Sequence, residues 1–136
     1  MGRIMSIDFG TKRIGVAATD TLRISAHGKG TFTPDTIGKF LDDFLMNEPV
    51  DKIVIGMPSK PSDQFSAALD KFVASIATHS RAPEIVFHDE DFTSIDAREA
   101  IQASGVSKKQ RRNKEMLDEV SAIIILQDYL GHREDF

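Results

Sequence analysis

The chain has 136 residues, with 17 Lys and Arg against 21 Asp and Glu, a formal net charge of -4, and neither Cys nor Trp. That length suits one domain over residues 1–136, since domains typically hold about 100–150 residues, and the 40% hydrophobic content excludes a disordered polymer. The lack of cysteine excludes disulfides and thiolate metal sites, and the mildly acidic balance weighs against a nucleic-acid partner, whose phosphates attract basic surfaces.

Residues 1–10 lack the apolar core of a signal peptide. The longest purely apolar run, Ala122 to Leu126, falls far short of the roughly 20 residues that span a bilayer. The expectation is therefore a cytoplasmic chain with no membrane segment. Met1-Gly2 with Ser6 matches a myristoylation pattern, but Ile4 to Ile7 reads as a strand that would tie the N-terminus into the fold.

Ile4 to Phe9 reads as a first strand and Ile14 to Thr19 as a second, with Gly10 to Arg13 as the turn between them. In the first strand Ser6 and Asp8 share one face, and Met5, Ile7 and Phe9 the other. A weaker third strand lies around Ile24 to Phe32, interrupted by Gly28 and Gly30. Thr33-Pro34-Asp35 then opens a helix: a capping hydroxyl, Pro at the first helical position and an acid near the positive dipole end. Ile37, Phe40, Leu41, Phe44 and Leu45 form its apolar face.

Ile53-Val54-Ile55 and Ile85-Val86-Phe87 are unalternated apolar triplets, the pattern of strands buried on both faces of a parallel sheet. Between them Phe65, Leu69, Phe72, Val73 and Ile76 mark an amphipathic helix. Thr93 to Ser104 reads as another helix, with Asp96 in a capping-box position and Gly105 as its C-cap. The last helix runs from about Arg112 to Leu130, and its centre, Val120 to Leu126, is apolar nearly all round and hence buried. Antiparallel strands followed by strand–helix alternation imply an α/β fold, a mixed sheet with helices on its faces.

Three carboxylates sit where such a fold gathers ligands, beyond the carboxyl ends of strands. Asp8 ends the first strand, Glu90 follows the last, and Asp118 lies near the start of the buried helix. Brought together they would repel one another, and a hard divalent cation such as Mg²⁺ would remove that penalty. Two such ions could activate water and stabilise the leaving oxygen of a phosphodiester. Read residue by residue, the same three could instead be a turn acid, one member of a solvated acidic loop and a surface helix residue.

Lys108, Lys109, Arg111, Arg112 and Lys114 put five positive charges into seven residues, leaving 12 basic against 21 acidic residues elsewhere. Such a run is often only a solvated face. Here it leads into the helix that carries Asp118, where it could hold the phosphates flanking a scissile bond. The four histidines are scattered. His88, beside the acidic cluster, reads as structural or as supporting the acids, and Tyr129 as a core-edge residue. No phosphate-binding loop, dinucleotide fingerprint or His-Glu-x-x-His is present.

Ile7-Asp8-Phe9-Gly10-Thr11-Lys12-Arg13-Ile14-Gly15-Val16-Ala17 resembles the opening of the YqgF family of bacterial ribonuclease H-like proteins, described as pre-ribosomal RNA nucleases or Holliday junction resolvases. Ile55 to Pro58, His88 to Ser94, and Lys114 through Asp118 to Leu126 resemble that family's later motifs, in order and over nearly the whole chain. The resemblance implies a ribonuclease H-like fold with three antiparallel strands followed by two parallel ones. It implies Mg²⁺- or Mn²⁺-dependent phosphodiester cleavage with two ions held at Asp8, Glu90 and Asp118, and Lys12, Arg13 and the basic segment facing nucleic acid. The cellular role it implies is trimming precursor 16S ribosomal RNA in the cytoplasm. Asp91 departs from the family's usual Arg after the glutamate and sets a negative charge beside the proposed site.

A metal-dependent nuclease on structured RNA is thus the leading reading, and a DNA junction resolvase the second. A monomer and a homodimer are both open, the dimer favouring junctions because they present two related scissile sites. A non-catalytic nucleic-acid-binding module is a different class, consistent with Asp91 and the acidic total. A nucleotide-dependent phosphotransferase would need two such domains, and the chain has room for one.

Overall fold

The structure is a computed structural model that describes residues 2–89 and 114–131, the side chains of 114–116 excepted. Strands β1 (Arg3–Asp8), β2 (Ile14–Thr19) and β3 (Ala26–Phe32) come first. Helix α1 (Pro34–Asn47), strand β4 (Val50–Met57), helix α2 (Asp63–Ala77), strand β5 (Glu84–Asp89) and helix α3 (Lys114–Leu130) follow. They build a five-stranded sheet in the order β3-β2-β1-β4-β5. β1 pairs antiparallel with β2, and β2 with β3, while β1–β4 and β4–β5 are parallel. This is the mixed ribonuclease H-like sheet that the resemblance implied. The expected helix over 93–104 and its Gly105 cap lie outside the described residues.

The two faces of β1 divide the core. Met5, Ile7 and Phe9 pack with Ile37 and Leu41 of α1 and Leu69 and Ile76 of α2, while Ile4 packs with Ala122, Ile125 and Leu126 of α3. The buried centre expected for the last helix is present, with Ala122, Ile125 and Leu126 all fully enclosed. At the start of α1 the Thr33 N–H donates to Thr36 Oγ1 at 3.0 Å. At the start of α2 the Ser62 hydroxyl accepts from the Phe65 N–H at 3.0 Å.

Two sequence readings need correction. Ile53-Val54-Ile55 is fully buried on both faces, but the second triplet is not, and Phe87 is 54% exposed. The reason is topological: among the described residues β5 stands at the end of the strand order, flanked by a strand on one side only. The third strand begins at Ala26, not Ile24, and its glycines make a bulge. Val16 pairs with Gly30 and Ala17 with Gly28, so Lys29 is the extra residue and Gly30 takes φ +116°. Gly2 is buried and its N–H donates to Asp51 Oδ2 at 2.9 Å, so the N-terminus is built into the fold as the strand reading expected.

Candidate active site

Strand and helix geometry bring Asp8 and Asp118 to one place. Ser6 is fully buried, and its hydroxyl donates to the carbonyl of Ala122 in α3. Asp8 lies two residues on, about 6.6 Å further along the same face of β1. Asp118 lies one helical turn before Ala122, about 5.4–6 Å back along α3. Strand and helix run in opposite senses here, so the two offsets coincide and set Asp118 over the end of β1. Asp8 and Asp118, together with the turn through Arg13, line one cavity of about 270 Å³.

The helix approaches the sheet closely at this end because β2 and β3 carry glycines beneath it. Gly15 pairs with Asp8 in the β1–β2 register. A Cβ on Gly15 would overlap the carbonyl of Asp118, and a Cβ on Gly28 would come within 2.6 Å of the Glu119 side chain. Neither contact was read from the sequence. The available signals are a glycine inside a strand of β-branched residues and alanines at Gly15, a placement that usually marks close backbone approach, and a polar Ser6 on the Asp8 face of an apolar strand.

The cavity is electrostatically mixed. Arg13 Nε donates to Asp118 Oδ2 at 2.9 Å. Lys12 is exposed on the same wall. Of the residues read as facing nucleic acid, then, Lys12 is an exposed residue of the cavity lining, whereas Arg13 is engaged with an acid. Glu90, Asp91, Lys108, Lys109, Arg111 and Arg112 lie outside the described residues, as does the side chain of Lys114. Among the described residues no group of three or more acids and histidines is placed to hold a metal ion. The described part of the donor set, two carboxylates on one wall, still suits a hard divalent cation, which commonly takes one or two carboxylates and keeps several waters.

His88 belongs elsewhere. Its Nε2 lies 2.7 Å from Asp128 Oδ2 near the end of α3, and its ring meets Tyr129 edge-on at 6.2 Å between centroids. Tyr129 packs against the core around Ile125 and its hydroxyl accepts from Lys52 Nζ at 3.4 Å, the core-edge position expected for it. A larger cavity of about 590 Å³ lies on the opposite face of the sheet, between α1 and α2, with a mostly apolar lining. No helix of the described residues is long and apolar enough to cross a membrane.

The strand order and the helix laid across it, with acids at the end of β1 and near the start of α3, define a ribonuclease H-like α/β protein. Two solved structures share the fold: T. thermophilus RuvC in complex with a Holliday junction substrate (TM-score 0.59, 13% identity, 96% of this chain and 97% of that one), and the Fowlpox virus resolvase with substrate Holliday junction DNA (TM-score 0.57, 12% identity, 96% and 98%).

Within that class the chain belongs to the family described as RuvX, Holliday junction resolvase, whose model matches residues 2–132. A relative from Parabacteroides distasonis is 40% identical over 138 residues, covering 98% of each chain. One from Flavobacterium psychrophilum is 42% identical over 136 residues, covering 98% of this chain and 99% of its own. Both carry the provisional name pre-16S rRNA nuclease. The resemblance read from the motifs therefore stands, and the family is one of nucleases.

Proposed function

We propose that the chain is a single-domain, divalent-metal-dependent nuclease that hydrolyses phosphodiester bonds in structured RNA, with precursor 16S rRNA as the favoured substrate. The observation that carries this reading is the shared cavity of Asp8 and Asp118, with the cationic side chains of Lys12 and Arg13 on its wall. Asp8 and Asp118, joined by Glu90, would hold Mg²⁺ or Mn²⁺, in a pair if the site is complete. A metal held there would supply activation of the attacking water and charge stabilisation for the leaving oxygen. Lys12 holds a phosphate of the bound strand at the cavity mouth. Arg13 orients Asp118 through the 2.9 Å hydrogen bond and carries a second positive charge toward the same phosphates. Lys108, Lys109, Arg111, Arg112 and Lys114 bind the flanking backbone. Activity on ribosomal RNA precursors would place the protein in the cytoplasm.

The names of the close relatives support RNA as substrate. The family description and the junction-bound structural neighbours favour a second reading, cleavage of branched DNA. One experiment addresses both. Labelled precursor 16S rRNA and a synthetic four-way DNA junction are incubated with wild-type protein and Mn²⁺. Cleavage of the RNA alone is expected, cleavage of the junction alone selects the second reading, and cleavage of neither refutes the nuclease proposal.

A further inference from the structure

We infer that Gly15 is a positioning residue for the proposed site: its lack of a side chain sets the height of α3 above β2, and so the separation of Asp118 from Asp8. The inference rests on the nuclease reading for its functional consequence, but its geometry stands on the fold alone. Gly15 is the register partner of Asp8. A Cβ there would overlap both the carbonyl carbon and the oxygen of Asp118 and lie 3.0 Å from the Glu119 nitrogen. These are backbone atoms inside α3, so no rotamer change can relieve the clash, and the backbones of α3 and β2 must move apart.

The neighbouring glycine provides the contrast. The three atoms nearest a Cβ on Gly28 all belong to the Glu119 side chain, at 2.6 to 2.8 Å. That side chain can swing aside without moving the helix. On the third side Ser6 donates to Ala122 O from the fully buried face of β1, one turn further into α3. Gly15 limits the approach of the helix and Ser6 holds it down. Together they fix Asp118 at the height where Arg13 reaches it and where it shares a cavity with Asp8. A glycine in a strand interior is intrinsically less favourable than alanine, which is consistent with a steric requirement for Gly at this position.

The test compares Gly15→Ala, Gly28→Ala and wild type by three readouts. The Arg13 Nε–H resonance of the metal-free protein reports the Arg13–Asp118 contact, Mn²⁺ titration by calorimetry reports the carboxylate site, and cleavage reports function. Gly15→Ala is expected to move the Arg13 signal, weaken Mn²⁺ at least 10-fold and slow cleavage at least 10-fold. Gly28→Ala keeps the Arg13 signal and stays within about 2-fold of wild type in both other readouts. If Gly15→Ala does not fold, Ser6→Ala tests the same seat without a clash: the Arg13 signal shifts and Mn²⁺ binding weakens at least 3-fold. An unmoved Arg13 signal with wild-type Mn²⁺ affinity, in whichever of these two variants folds, overturns the inference. So does an equal loss in Gly28→Ala. A wild type that neither binds Mn²⁺ nor cleaves, while Gly15→Ala still moves the Arg13 signal, defeats the nuclease reading and leaves the positioning geometry intact.

Discussion

Replacing Asp118 by Asn should separate stability from activity, and the size of each effect can be worked from its surroundings. In the folded protein Asp118 Oδ2 accepts from Arg13 Nε at 2.9 Å, with the two side chains 21% and 36% exposed. Pairs open to solvent contribute about 0.2–1 kcal/mol, and with Arg13 this exposed we take about 0.5 kcal/mol after screening. The amide retains an oxygen that can accept the same hydrogen bond, and one negative charge leaves a cavity that also holds Asp8, relieving repulsion. The net change in unfolding free energy should therefore stay within about 1 kcal/mol, or a few degrees in melting temperature. The amide is a far poorer ligand for a hard cation. We expect cleavage to fall at least 100-fold, equivalent to about 2.7 kcal/mol of transition-state stabilisation. Urea unfolding and single-turnover cleavage measure the two quantities on the same preparation. A variant that cuts within about 3-fold of wild type would refute a ligand role for Asp118. A loss of stability above about 3 kcal/mol would make the carboxylate a structural group.

Further predictions address the rest of the molecule. Replacing Lys108, Lys109, Arg111 and Arg112 together by Ser should weaken RNA binding and flatten its dependence on salt, as removal of phosphate contacts requires, and an unchanged slope in a filter-binding series would reduce the segment to a solvated face. Ile55→Ala removes a fully buried side chain from the inner strand β4 and should cost about 2–5 kcal/mol in urea unfolding without a specific effect on metal binding. His88→Ala should cost about 1 kcal/mol through its contacts with Asp128 and Tyr129, while cleavage stays within about 3-fold of wild type. A much larger loss of rate would draw His88 into the reaction.

The sequence made most of the sheet legible because its signals are local. Ile14 to Thr19 is read as a strand with the limits it has in the fold, since its apolar run is bounded by turn residues. The apolar faces of α1 and α2 follow from their spacing, as the buried positions Ile37, Leu41, Leu45, Leu69 and Ile76 bear out. Position within the sheet was not legible. Ile85 to Phe87 carries the same apolar pattern as Ile53 to Ile55, and only the strand order reveals that β5 ends the sheet. At the site, Asp8 and Asp118 could be singled out from their places at a strand end and a helix start. Their shared cavity could not, because it depends on a register and a crossing that join residues more than a hundred positions apart. The glycine seat beneath α3 was hidden for the same reason: the absence of a side chain has meaning only when the opposing backbone is known.

The net charge of -4 also takes on a different meaning at the site. The described site sets Asp8 and Asp118 against Lys12 and Arg13, two charges of each sign on one wall. The excess acid of the chain as a whole thus does not describe the surface that would meet a phosphate backbone. Bound divalent ions would add positive charge at the same point.

The central claim is that these carboxylates work through a divalent metal. Its most direct measurement is cleavage of labelled precursor 16S rRNA by wild-type protein stripped with EDTA and then titrated with Mn²⁺, with Asp8→Asn as the blank. Cleavage that is absent in EDTA, returns in wild type as Mn²⁺ is added and stays absent in Asp8→Asn is the predicted result. Cleavage that persists in EDTA, or that Asp8→Asn performs as well as wild type, would contradict it.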